Sequence, residues 1–88
     1  MRIRVRRTGG FAGIERQAEV DTSGRADAHE WHALAERAVA AGAPTPPAGV
    51  PDGFSYTITV DGTTVHCADP GLTEGQRTLI RRVLKEGA

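Results

Sequence analysis

The sequence predicts an α+β fold of order ββαββα: a four-stranded antiparallel sheet with two helices packed on one face. Three observations carry that prediction. Two pairs of segments alternate apolar and polar residues at the period of a half-buried strand. Two other segments repeat apolar residues at helical spacing. Between the last two alternating segments stands Asp61-Gly62, the signal of a two-residue type I′ hairpin turn.

The first strand is read at residues 2–7, where Ile3 and Val5 point one way and Arg2, Arg4 and Arg6 the other. The second is read at residues 14–21. Ile14, Ala18 and Val20 share a face with Arg16; Glu15, Gln17, Glu19 and Asp21 share the opposite face. If these strands pair, arginines meet carboxylates across the ladder, which also helps to fix register. Thr8-Gly9-Gly10-Phe11-Ala12-Gly13 lies between them, and its three glycines suit a hairpin loop with positive φ angles.

Residues 22–26 are polar and lead to a helix. Asp27 suits its N-cap, and Glu30 completes a pattern resembling a capping box. Trp31, Leu34, Ala35 and Ala38 fall on one helical face, and Gly42 supplies the stop. Residues 43–53 hold four prolines and two glycines and are expected to be an irregular connection. In the second hairpin Phe54, Tyr56, Ile58 and Val60 alternate with Ser55, Thr57 and Thr59. The turn at Asp61-Gly62 predicts the pairs Val60–Thr63, Ile58–Val65 and Tyr56–Cys67. Asp69-Pro70-Gly71 ends the last strand. Thr73 and Gln76 then form a capping box for a helix with the apolar stripe Leu79, Ile80, Val83 and Leu84. Arg77, Arg81, Arg82 and Lys85 are expected on its solvated side, mostly near its C-terminal end, where the helix dipole favours cations.

Composition narrows the function classes. Eighty-eight residues suffice for one domain, spanning 1–88. A domain of this size buries a little under two-thirds of the surface its unfolded chain exposes, which leaves little room for a deep catalytic cavity. Eleven basic and eleven acidic side chains cancel, which argues against a protein built to hold nucleic acid or an anionic membrane. The N-terminal arginines are not followed by the apolar run of a secretory signal, and no stretch approaches a membrane span. The lone Cys67 permits no intrachain disulfide, which fits a reducing compartment. A cytoplasmic protein, monomeric when free, is expected.

The candidate chemistry is sparse. His29-Glu30-Trp31-His32 resembles a zinc-protease motif but spaces its histidines three apart instead of four, one residue short of that motif, so they could touch one metal only weakly. A polar helix start with Trp31 packed inward is the simpler reading, and no metal or cofactor is expected. His66 and Cys67 are neighbours on a strand and point to opposite faces, so they do not make a nucleophile–base pair. Cys67 reads as a small buried residue. No catalytic residues are assigned, and the protein is expected not to be an enzyme. Arg2, Arg4, Arg6 and Arg7 raise the alternative of a basic stripe for nucleic acid. Acidic residues of the second strand would neutralise them, and no aromatic residues interleave with them for base stacking. The glycine-rich segment is not a phosphate loop, since it lacks the lysine motif and precedes a strand. Phe11, flanked by small residues at a hairpin tip, is either a core plug or an exposed anchor of the kind that makes a binding hot spot.

The opening strand with Thr8-Gly9-Gly10-Phe11-Ala12-Gly13-Ile14, the acidic second strand, Asp52-Gly53-Phe54-Ser55-Tyr56 and the closing helix from Leu72 to Leu84 together resemble the emfourin family. The resemblance covers most of the chain, but the proline-rich stretch 43–51 stands outside it. It implies a small cytoplasmic inhibitor of a protealysin-like, thermolysin-type zinc metalloprotease, acting through a tight, reversible complex that blocks the active-site cleft. Such enzymes favour a bulky apolar residue after the scissile bond. Gly9, Gly10, Phe11, Ala12 and Gly13 are therefore the candidate contact residues, with Phe11 as anchor and its small neighbours allowing close backbone approach. The stiff 43–53 connection is a second, lower-ranked surface. The alternative is an intracellular interaction or nucleic-acid-associated module without inhibitory activity.

Overall fold

The computed structural model describes residues 1–9, 15–47 and 53–88. Its elements run β1 (Arg2–Gly9), β2 (Arg16–Asp21), α1 (Ala28–Ala41), β3 (Phe54–Val60), β4 (Thr63–Ala68) and α2 (Glu74–Glu86). The order is ββαββα, as the alternation and periodicity predict. The four strands form one antiparallel sheet in the order β2-β1-β3-β4. The two hairpins therefore join through β1 and β3, and β1 pairs along its length with both neighbours.

One face of the sheet builds the core. Ile3, Val5, Ala18, Val20, Tyr56, Ile58, Val65 and Cys67 are buried on it, against Trp31, Ala35 and Ala38 of α1 and Leu79, Ile80, Val83 and Leu84 of α2. Both helices thus cover the same face. Removal of this apolar surface from water is the dominant stabilising term.

The second hairpin follows its turn chemistry. Asp61 and Gly62 both have positive φ, at 47° and 87°, as a type I′ turn requires. Val60 pairs with Thr63, Ile58 with Val65 and Tyr56 with Cys67, the predicted register. The Asp61 carboxylate accepts from the Arg2 amide at 2.8 Å and the Asp61 amide donates to the Arg2 carbonyl at 3.1 Å. The turn is thereby fastened to the start of β1.

β1 extends two residues beyond the predicted end. Thr8 and Gly9 pair with Ser55 and Phe54, a long-range partnership that local alternation does not reveal. Gly42 ends α1, but not by a left-handed turn; its ψ of 160° is extended. A Cβ at this position would overlap the Val65 side chain, so close packing requires the glycine. Ala43 then bridges the outer edge of β4, exchanging backbone hydrogen bonds with His66 at 2.9 and 2.8 Å. At the opposite edge, Ala88 exchanges backbone bonds with Glu19 of β2 at 3.2 and 3.1 Å. Each exposed edge is thus partly closed by the chain's own backbone, which lessens edge-to-edge association.

α2 has the predicted capping box: Thr73 Oγ1 accepts from the Gln76 amide at 3.1 Å, and Gln76 Oε1 from the Thr73 amide at 3.0 Å. Gln76 is buried, and its Nε2 donates to the Ala38 carbonyl at 3.3 Å, satisfying one of the open carbonyls in the last turn of α1.

Candidate functional site

The connection between β1 and β2 leaves the sheet at the end remote from the Asp61-Gly62 turn. Of the five residues proposed for contact, Gly9 is described, while Gly10, Phe11, Ala12 and Gly13 lie outside the described residues, as does Ile14. Gly9 has φ +89° and pairs with Phe54. A Cβ on Gly9 would stand 3.0 Å from the Gly53 carbonyl oxygen, so both backbone conformation and close approach favour glycine there.

The root of this connection is well braced. Asp69 holds the start of β3: its carboxylate accepts from the Phe54 amide at 3.2 Å, and its own amide donates to the Phe54 carbonyl at 2.9 Å. Phe54 and Tyr56 meet with ring centroids 6.3 Å apart and planes tilted by 54°. The Arg7 guanidinium lies over the Phe54 ring at 4.4 Å. Burial raises the Tyr56 phenol above its ordinary pKa, and the charge of Asp69 adds to the effect.

The arginines of β1 do not form one stripe. Arg2, Arg4 and Arg6 occupy the open face, while Arg7 follows Ile3 and Val5 onto the helix-covered face. On the open face Glu19 approaches Arg2 at 3.8 Å and Arg4 at 3.6 Å, and Glu15 meets Arg6 at 2.7 Å. These pairs are the predicted cross-strand neutralisation. Their solvent exposure makes them modest in energy.

Arg82 departs from the expectation of a solvated side chain. It lies half-buried over the Trp31 ring at 4.2 Å, with Arg25 at 5.5 Å from the same centroid. Asp27 Oδ2 accepts from Arg82 Nη2 at 3.2 Å and Trp31 Nε1 at 3.1 Å, and Asp27 Oδ1 accepts from Arg25 Nε at 3.0 Å. Glu86 joins both arginines at 3.1 and 3.4 Å. Asp27 is the N-cap of α1 by position, but its side chain makes no cap bond. The expected capping box is absent because the carboxylate bonds instead to these three side chains. The cluster ties the start of α1 to the end of α2.

The other candidates settle into structural roles. His32 Nε2 lies 3.1 Å from Thr22 Oγ1, and His29 is exposed. Among the described residues no three His, Cys, Asp or Glu side chains are grouped to hold a metal. His66 Nδ1 lies 3.4 Å from Thr57 Oγ1 on the open face, while Cys67 is buried in the core with its thiol pushed up to about 11, by burial first and the Asp69 charge second. That thiol is a poor nucleophile at neutral pH. Beside Arg82 and Asp27, sequence reasoning placed Arg7 and Phe54 incompletely. The parity of Arg7 with Ile3 and Val5 already puts it on the apolar face.

Searches of curated proteins and of solved structures gave no significant match. The emfourin family model matches residues 5–84, from the middle of β1 through Leu84 of α2. That span includes the second hairpin, most of the first, both helix starts and the whole glycine-rich connection, so the chain belongs to the emfourin family, a family of protease inhibitors directed at thermolysin-like metalloproteases.

Proposed function

We propose that this protein inhibits a protealysin-like, thermolysin-type zinc metalloprotease by placing the β1–β2 connection in its active-site cleft. Gly9, Gly10, Phe11, Ala12 and Gly13 are the contact segment, and Phe11 is the apolar anchor for the pocket that follows the scissile bond. The observation that carries this reading is the family match over residues 5–84. The braced root of the connection supports the choice of surface. β1 and β2 pair as far as Arg7 and Arg16, and Gly9 is held against Phe54. A segment springing from fixed ends loses less conformational entropy on binding than a free peptide. The protein acts as a monomer, a reading favoured by the backbone closures at Glu19 and His66. It acts in the cytoplasm, where a lone buried thiol suits the reducing conditions.

The test is titration of the purified protein into a thermolysin-type protease with a chromogenic substrate. Stoichiometric, reversible inhibition is expected. Phe11→Ala weakens it by at least about 30-fold, the worth of a hot-spot anchor, while melting stays at the parent temperature. Equal inhibition by a folded Phe11→Ala variant removes the anchor role. No inhibition across several enzymes of the class removes the function.

A further inference from the structure

Arg7 and Arg16 are direct partners in the β1–β2 ladder, at its last pair before the connection. Both side chains take the helix-covered side: Arg7 stacks on Phe54, and Arg16 Nη2 donates to the Leu84 carbonyl of α2 at 2.6 Å. Like charges directly opposite in a ladder destabilise it. Among the described residues neither cation has a carboxylate partner, in contrast to Arg2, Arg4 and Arg6 on the open face of β1. Arg7 Nε is also buried without a hydrogen-bond partner among the described residues. Stacking on a ring and bonding to a terminal helix carbonyl hold both guanidiniums in place without a paired carboxylate among the described residues. Arg16 is exposed and Arg7 half-buried, so an outside group reaches Arg16 fully and Arg7 in part.

We propose that Arg7 and Arg16 form a cationic seat for a carboxylate on the rim of the protease cleft, beside the inserted connection. The seat rests on the inhibitory reading and adds a chemical requirement: the partner bears an Asp or Glu next to the pocket that receives Phe11. Guanidinium–carboxylate pairing is charge-assisted and geometrically specific. It steers the approach of the partner.

The experiment measures association rate and inhibition constant against a thermolysin-type protease at increasing sodium chloride. The parent, Arg7→Gln, Arg7→Gln/Arg16→Gln and Arg7→Lys/Arg16→Lys are compared, with melting of each free protein. The single Arg7→Gln variant leaves the Arg16–Leu84 bond intact in case the double variant folds poorly. Expected for the glutamine variants are melting no lower than the parent, association slower by about tenfold at low salt and a flatter salt dependence. The lysine pair retains the steering and loses part of the affinity. Unchanged inhibition and salt dependence in Arg7→Gln and the double variant overturn the seat while leaving the inhibitory reading standing. Lower melting with unchanged inhibition also overturns it, since the charges are then balanced within the fold. A parent that inhibits no enzyme of the class defeats both readings. Salt-dependent retention of duplex DNA that the glutamine variants lose replaces the carboxylate with a phosphate backbone.

Discussion

The two ββα halves of the chain share an element order and differ in how they are held. In the second half local rules suffice. Asp61-Gly62 closes β3 onto β4 with positive φ at both positions, and Thr73 and Gln76 cap α2 reciprocally. In the first half the corresponding positions serve other contacts. The β1–β2 connection is long and glycine-rich, and the Asp27 side chain bonds to Arg25, Trp31 and Arg82 instead of capping α1. A half built on local signals can carry the stability. The other half is then left to supply a long-range clasp and the proposed binding surface.

The strongest test of that division sets a core residue of the second hairpin against the proposed anchor of the first connection. Ile58 is fully buried in the centre of the sheet, between Val5 and Val65. Ile58→Ala is expected to cost about 2–5 kcal/mol of unfolding free energy, a large part of the total for so small a domain, and denaturant titration measures it. Phe11→Ala is expected to leave the same titration unchanged and to affect inhibition. A Phe11→Ala variant as unstable as Ile58→Ala would place the anchor in the core and end the comparison.

The next test asks whether both hairpins depend on left-handed glycines. Gly62 has φ +87°, and a Cβ added there would meet nothing within 4 Å, so Gly62→Ala faces backbone strain alone. The expected cost is about 1–2 kcal/mol. Gly9→Ala meets similar strain at φ +89° and also crowds the Gly53 carbonyl at 3.0 Å, so it is expected to cost more. Equal unfolding free energies for the two variants would show that the root of the first connection relaxes more readily than its bracing implies.

The same contrast explains what can be read from the sequence. The Asp61-Gly62 register and the Thr73–Gln76 box are legible because each depends on residues two or three apart. The alternation of Ile3 and Val5 places β1, but not its last two residues, which pair with Ser55 and Phe54 more than forty positions away. Arg82 reads as a solvated helix residue because its partners, Asp27 and Trp31, belong to the other half of the chain. Gly42 is legible as a stop, while its packing against Val65 is not. The proposed contact segment rests on composition and family resemblance. The Arg7–Arg16 pair needs the register, which sets two individually ordinary residues opposite each other.

Helix starts provide a smaller test. Thr73→Ala removes a side-chain acceptor and is expected to cost about 1 kcal/mol. Asp27 is also an N-cap by position, yet its role is ionic, so its variants should differ with pH. Arg25 above all, with Trp31 assisting, holds the Asp27 carboxyl below the ordinary carboxylate pKa. A depressed carboxylate contributes its stability above the unfolded value, about 3.9, and loses it as pH falls through the lower folded value. Unfolding free energy should therefore fall as the parent is acidified below about pH 4, and Asp27→Asn should fall less steeply. Asp21, lowered by its bond to the Ser23 amide, keeps part of the acid limb in both proteins. Thr73→Ala should shift the whole profile down without changing its slope. Parallel acid limbs for Asp27→Asn and the parent would mean that the clasp does not depend on the carboxylate charge, and the distinction between the two helix starts would then be one of geometry alone.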